Sequence, residues 1–136
     1  MKRTWLGKYG YINDDDETSY FTFKMNVEII DGSFEGAVYE EEFSGVTNDL
    51  VAVKGFITHD FISFVKTYPY YWAIDDDHFI YDKSAPGHEV VYEGNFDEIN
   101  GVWRGEWEIE LDRKVVDKET DKISLLTGVW EMKAKL

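Results

Sequence analysis

Period-two alternation is the feature that most narrows what this chain can fold into. Between Tyr20 and Ile29, the residues Phe21, Phe23, Met25, Val27 and Ile29 fall on one face, and Thr22, Lys24, Asn26 and Glu28 fall on the other. An alternation of this kind marks a strand with one dry and one wet side. Asp31-Gly32 follows at once, a dipeptide suited to the tight hairpin turn in which both residues take positive φ. The pattern recurs along the chain and predicts eight strands, over residues 4–12, 20–30, 33–41, 50–58, 61–68, 88–96, 100–111 and 122–135. Joints such as Asp31-Gly32, His59-Asp60 and Asp97-Glu98-Ile99 are short, so consecutive strands are antiparallel neighbours in a meander. Longer connections are expected at 13–19, 44–49, 69–87 and 112–121.

The seventh strand points to the architecture. Trp103, Gly105, Trp107, Ile109 and Leu111 share one face, and Arg104, Glu106, Glu108 and Glu110 the other. A meander of eight such strands can close on itself, which removes both exposed edges. The expected fold is therefore all-β, an eight-stranded antiparallel up-and-down barrel, with a two-sheet sandwich as the alternative. Gly7, Gly36, Gly55, Gly94, Gly105 and Gly128 fall in mid-strand, where glycine marks a bend or a close approach. The length of 136 residues is that of a single domain, 1–136, with a long 69–87 loop between strands five and six.

Charge and composition narrow the function. Asp and Glu number 28 against 14 Lys and Arg, a net charge of −14 that repels phosphate backbones and anionic lipid. Nucleic acid and membrane are not expected partners. There is no cysteine, hence no disulfide, thiol nucleophile or thiolate metal site. Aromatic residues make up 17% of the chain, which fits a β-rich domain and not a disordered one. The opening Met1-Lys2-Arg3-Thr4-Trp5 has no apolar stretch behind its cations, so a cytoplasmic protein is expected, or a mature chain whose leader was removed.

Short pieces along the chain are similar to the avidin and streptavidin family of eight-stranded barrels, within the wider lipocalin-like (calycin) group. These are Thr4-Trp5, Asp31-Gly32-Ser33-Phe34-Glu35-Gly36, Val53-Lys54-Gly55-Phe56, Tyr92-Glu93-Gly94-Asn95-Phe96 and Ile99-Asn100-Gly101-Val102-Trp103. The resemblance implies the barrel fold and places the family's aromatic biotin walls on Phe64, Tyr68, Tyr92 and Trp103. The family's polar biotin contacts would fall on Gly7, Tyr11, Val38, Glu40 and Trp130, which cannot make the same hydrogen bonds. The resemblance thus implies a shared fold without biotin binding. Trp5-Leu6-Gly7-Lys8-Tyr9-Gly10 also resembles the opening of the haem-binding nitrobindins, but no His near the C-terminus offers an axial ligand. No cofactor is expected.

The candidate site follows from the inward faces. Strand three would turn Phe34, Gly36, Val38 and Glu40 inward. Strand five carries Ile62, Phe64, Lys66 and Tyr68 on one face, and Phe61, Ser63, Val65 and Thr67 on the other. If the first face points in, Lys66 is an internal ammonium that needs a carboxylate, and Glu40 is the candidate partner. That pair is either a polar floor for the head group of a ligand, read as anionic, or a structural ion pair. Trp5, Tyr9, Phe23, Tyr92, Trp103, Trp107 and Trp130 either line an apolar pocket or fill the core. Loop 69–87, rich in aromatics, is read either as a lid over the barrel mouth or as an extra hairpin that packs on the outer wall or on a second subunit, and a lid or an interface is favoured over decoration.

Metal and catalytic signals are weak. Asp14-Asp15-Asp16-Glu17 and Asp75-Asp76-Asp77 lack calcium-loop spacing and read as solvated turns. His59, His78 and His88 show no paired metal spacing. No catalytic motif is present, and an enzyme using a barrel carboxylate is the third reading. The leading expectation is a non-enzymatic barrel binding a small, partly apolar ligand through Phe64, Lys66, Tyr68, Tyr92, Trp103, Glu40 and Trp130. The alternative is an interaction protein with a filled core, forming a homo-oligomer and acting through its outer wall and the 69–87 loop.

Overall fold

The computed structural model describes residues 1–12, 18–75, 78–110 and 125–135. Its strands are β1 (Lys2–Ile12), β2 (Thr18–Ile30), β3 (Ser33–Glu40), β4 (Val51–Thr58), β5 (Phe61–Thr67), β6 (Tyr71–Asp75), β7 (His78–Asp82), β8 (Glu89–Asp97), β9 (Val102–Glu110) and β10 (Leu125–Ala134). A single helical turn, α1 (Ser44–Thr47), lies between β3 and β4. The acidic run at 13–17, residues 76 and 77, and the connection 111–124 lie outside the described residues.

Eight strands close into an antiparallel barrel in the order β1-β10-β9-β8-β5-β4-β3-β2. This is the meander expected from the sequence, closed by β1 pairing with β10 from Trp5↔Ala134 to Tyr11↔Gly128. The turn between β2 and β3 is the one the sequence predicts: Asp31 and Gly32 both have positive φ, 51° and 84°. The connection 69–87, expected as a long loop forming a lid or an extra hairpin, holds a hairpin of β6 and β7, which forms a separate two-stranded sheet.

Alternation sorts the wall into two faces. Trp5 and Tyr9, then Phe23, Met25 and Val27, then Phe34, Val38 and Glu40 are buried, while Lys24, Asn26, Glu28 and Glu35 are exposed. The question left open for strand five is settled: Ile62, Phe64 and Lys66 point in. Burial of this much aromatic and aliphatic surface is the main force closing the barrel.

A pair of glycines shows how the barrel accommodates its large rings. Gly94 and Gly105 face each other across β8 and β9. A Cβ on Gly105 would lie 1.9 Å from the Glu93 carbonyl oxygen, and one on Gly94 would lie 2.9 Å from the Trp130 indole. The bare backbone there seats Trp130, whose Nε1–H points at the carbonyls of Glu93 and Glu106, at 3.2 and 3.1 Å. Glycine is used here because ring and backbone need the space of a side chain.

Candidate functional site

Four polar groups converge inside the barrel near the end where β3 and β5 finish. Lys66 sits between Val53 of β4 and Val90 of β8 in the ladders, so its stem runs through apolar wall. Its Nζ donates to Glu40 Oε2 at 2.8 Å and to the Tyr92 hydroxyl at 3.1 Å. The Tyr68 hydroxyl donates to the other carboxylate oxygen, Glu40 Oε1, in a short hydrogen bond. Lys66 and Glu40 are both 0% exposed. Both carboxylate oxygens thus have a donor, which is what a charge removed from water requires. The expected pairing of Glu40 with Lys66 is what the barrel contains.

Electrostatics follow from this geometry. Burial pushes the Lys66 ammonium below its ordinary range, and the Glu40 carboxylate opposes that shift. Burial raises Tyr68 well above the usual phenol range, and the adjacent Glu40 charge pushes it further the same way. Tyr68 therefore remains a neutral donor. The rim continues the network, since the Tyr9 hydroxyl donates to Glu42 Oε2 at 2.7 Å.

Aromatic rings wall this chamber. Phe64 stacks on Tyr92 with centroids 4.8 Å apart, and Trp130 meets them edge-on at 5.2 and 5.8 Å. Of the candidate residues, Phe64, Lys66, Tyr68, Tyr92, Glu40 and Trp130 come together. Trp103 does not join them. It packs on Phe96 at 5.1 Å, half-buried, and lies about 13 Å further along β9 than Trp107, the residue level with Tyr92.

The end of the barrel above Tyr68 is covered. Phe43, just before α1, is fully buried and packs against Tyr68 (5.2 Å), Tyr70 (5.5 Å) and Trp72 (5.8 Å). Trp72 stacks on Phe79 across the β6–β7 hairpin at 5.6 Å. A hydrogen bond of 2.5 Å from the Tyr70 hydroxyl to Asp49 ties the base of the hairpin to the β3–β4 connection. Half-buried His88 rests on Tyr71 and is held below the ordinary histidine range by burial. Among the described residues, Trp72 Nε1 is the buried side-chain polar atom with no hydrogen-bond partner.

Side chains occupy the axis of the barrel, with Trp5, Tyr9, Met25, Ile62, Phe64, Tyr92 and Met132 all essentially inaccessible. Two cavities, of about 450 and 430 Å³, open outside it. The first runs along the outer faces of β8 and β9, between Phe61, Val91, Glu93, Arg104, Glu106 and Glu108. The described residues contain no cluster of His, Cys, Asp or Glu able to hold a metal ion and no helix long and apolar enough to cross a membrane.

Sequence reasoning did not select Phe43, Tyr70, Trp72 and Asp49 for the site. For Tyr70 and Trp72 the signal was the aromatic density of 69–87, whereas Phe43 and Asp49 flank α1, which has no periodic signature. Tyr9 and Phe23 are expected from the sequence only as rings that line a pocket or fill the core, and not as neighbours of Lys66, because strands one and two are far from strand five in sequence.

No family model matches the chain, and no curated protein matches it. A solved structure with a similar fold is the rhizavidin–biotin complex. The likeness covers 100% of this chain and 92% of that one, with a TM-score of 0.59 at 10% sequence identity. At that identity the likeness speaks for the fold alone, and the fold of this chain is an avidin-like, eight-stranded antiparallel barrel.

Proposed function

We propose that this is a non-enzymatic barrel that takes up a small, partly apolar molecule at its capped end. The observation that carries the reading is the buried cluster of Glu40, Lys66, Tyr68 and Tyr92. A barrel that only needed filling would do as well with apolar side chains, since a buried ion pair contributes little net stability. Placing four polar groups directly beneath a cap suits a site with few, well-oriented polar anchors and aromatic walls. The cap supports the reading. It is a hairpin outside the barrel ladder, held by Phe43 and its ring neighbours, and its buried Trp72 N–H has an unused donor. A ligand entering here takes the place of the capping rings, offers an acceptor to Trp72, and rests its polar end on Tyr68 and Glu40. Phe64, Tyr92 and Trp130 form the apolar floor. The rhizavidin structure, with biotin bound, has a barrel of the same fold.

A second reading is favoured by the filled axis and the outer groove of about 450 Å³. Here the barrel is an interaction protein, and a partner bearing basic groups meets Glu93, Glu106 and Glu108 on the outer wall. Native mass spectrometry of freshly purified protein, set against its denatured mass, separates the two. An extra mass lost on denaturation is expected, and its loss in Trp72→Phe, which removes the donor offered to the ligand, would locate it at the capped end. A bare chain, or a bare assembly, sinks the ligand reading for any tightly held molecule and favours the second.

A further inference from the structure

Hydrogen bonds account for only part of what surrounds the Lys66 ammonium. Glu40 and Tyr92 take two of its three protons. Ring faces make up much of the rest: Nζ lies 3.9 Å from the centroid of Phe23 and 5.0 Å from that of Tyr9, while Tyr92 meets it through its hydroxyl end, with the ring centroid 4.3 Å away. These rings come from β2, β1 and β8, so three separate strands of the wall converge with β3 and its carboxylate on one nitrogen. The face of an aromatic ring is negative and attracts a cation within about 6 Å, most strongly where water is excluded. Several ring faces around a desolvated ammonium, closed on one side by a carboxylate, are how proteins recognise alkylated amines.

We propose that Tyr9, Phe23, Tyr92 and Glu40 form an ammonium-recognition site built into the barrel wall. The chain's own Lys66 fills it in cis. The ligand class it accepts, once that side chain is cut back, is a primary alkylammonium. The inference rests on the ring geometry around Nζ and not on the small-ligand reading above. It also bears on the anionic head group expected from the sequence. An anion approaching this nitrogen meets a carboxylate, the ring faces of Phe23 and Tyr9 and the hydroxyl oxygen of Tyr92, so the site selects against it. A plain buried ion pair differs in a measurable way. Replacing both partners of such a pair by well-packed apolar groups of similar size is often neutral or stabilising, whereas emptying a cage forfeits the attraction of the rings for the cation.

The test uses the full chain with Lys66→Ala, which keeps Cβ and removes the atoms of n-propylammonium. Thermal unfolding is followed with added n-propylammonium chloride, 1-propanol or sodium propionate at matched ionic strength. A saturable rise in midpoint with propylammonium alone is expected, and it weakens in Lys66→Ala/Glu40→Gln. If Lys66→Ala does not fold unaided, recovery of folded protein on refolding with each additive is read instead, with the same expectation. Equal rescue by 1-propanol means a void that any filler occupies, and overturns the proposal. So does no rescue by any of the three. A second measurement compares Lys66→Met/Glu40→Leu/Tyr68→Phe, which replaces the whole hydrogen-bonded group by apolar side chains, with the unaltered chain. A lower midpoint is expected for this variant, and a midpoint at or above that of the unaltered chain overturns the cage. Neither result touches the native mass of the unaltered protein, so failure here and failure of the ligand reading are distinguishable.

Discussion

Where β2 turns into β3, Trp5 meets Phe34 edge-on at 5.3 Å, and Met25, Ile62 and Met132 fill the space around them. Where β3 and β5 finish, Glu40, Lys66, Tyr68 and Tyr92 are equally buried but joined by hydrogen bonds. The same strands supply both ends by the same alternation. Stability at the apolar end depends on area and shape, which change gradually when one group is trimmed. At the polar end it depends on matched partners, where losing one strands the other without water. Among the described residues only the polar end carries a cap, and that is where a ligand would meet polar anchors.

The sharpest way to break this contrast is to remove one partner at the polar end. Glu40→Leu leaves the Lys66 ammonium buried without its carboxylate and should cost about 3–5 kcal/mol in urea unfolding. A cost below about 1 kcal/mol would mean that water reaches Nζ and that the polar end is not sealed. At the apolar end, Met132→Ala should cost about 2–5 kcal/mol, scaling with the void it leaves. The two changes share no partner, so their costs should add to within about 0.5 kcal/mol in the double variant. A large coupling between them would erase the distinction between the ends.

Much of this contrast was legible in the chain. Alternation at Tyr20–Ile29, the turn at Asp31-Gly32 and the mid-strand glycines are local features with direct geometric meaning, and they suffice for a closed meander. The pairing of Glu40 with Lys66 was legible up to a single choice, the face of β5, because a slip of one residue would have turned Lys66 to solvent. The cage was not legible, since Tyr9, Phe23 and Tyr92 meet Lys66 only after β1, β2 and β8 close around it. Nor was the place of Trp103. Its inward alternation holds, but depth along the barrel depends on strand stagger, which a period-two pattern does not encode. The cap was legible as aromatic density and not as a seat, because Phe43 is positioned by a four-residue helix with no pattern of its own.

A smaller effect separates the cap from the barrel beneath it. Tyr70→Phe removes the hydroxyl that bonds Asp49 at 2.5 Å and leaves the ring among its neighbours. Amide exchange should quicken several-fold in β6 and β7 and stay unchanged in β5 and β8, as expected for a unit that opens on its own. Equal acceleration throughout would show that cap and barrel open together, and would remove the route by which a ligand reaches Tyr68.

The pH dependence of stability offers the finest contrast. Tyr68 has a folded pKa raised above its unfolded value of 10.0, by burial first and Glu40 second. The folded chain holds that proton after the unfolded chain has lost it, so the contribution is fully present below pH 10.0 and is lost as pH rises towards the folded value. Lys66 runs the other way, its folded pKa being lowered from 10.5, so its contribution is present above 10.5 and is lost as pH falls through the folded value. Tyr68 is shifted well above its ordinary value, and therefore governs the alkaline limb: stability should fall above pH 10.0. At the far end of the barrel Asp97 provides the mirror case. Its half-buried carboxylate accepts from the amides of Ile99 and Asn100 and from the Asn100 side chain, at 3.0, 3.2 and 2.8 Å, and is held below the ordinary carboxylate range, chiefly by Asn100. Its contribution is present above 3.8 and is lost as pH falls through the folded value. Chemical unfolding across pH in Tyr68→Phe should flatten the alkaline limb and leave the acid limb alone, and Asp97→Ala should do the reverse, by a lesser amount because its site is open to solvent. If Tyr68→Phe leaves the alkaline limb as steep as before, that phenol is ionising in contact with water, and the capped end of the barrel is no drier than the turn at Asp97.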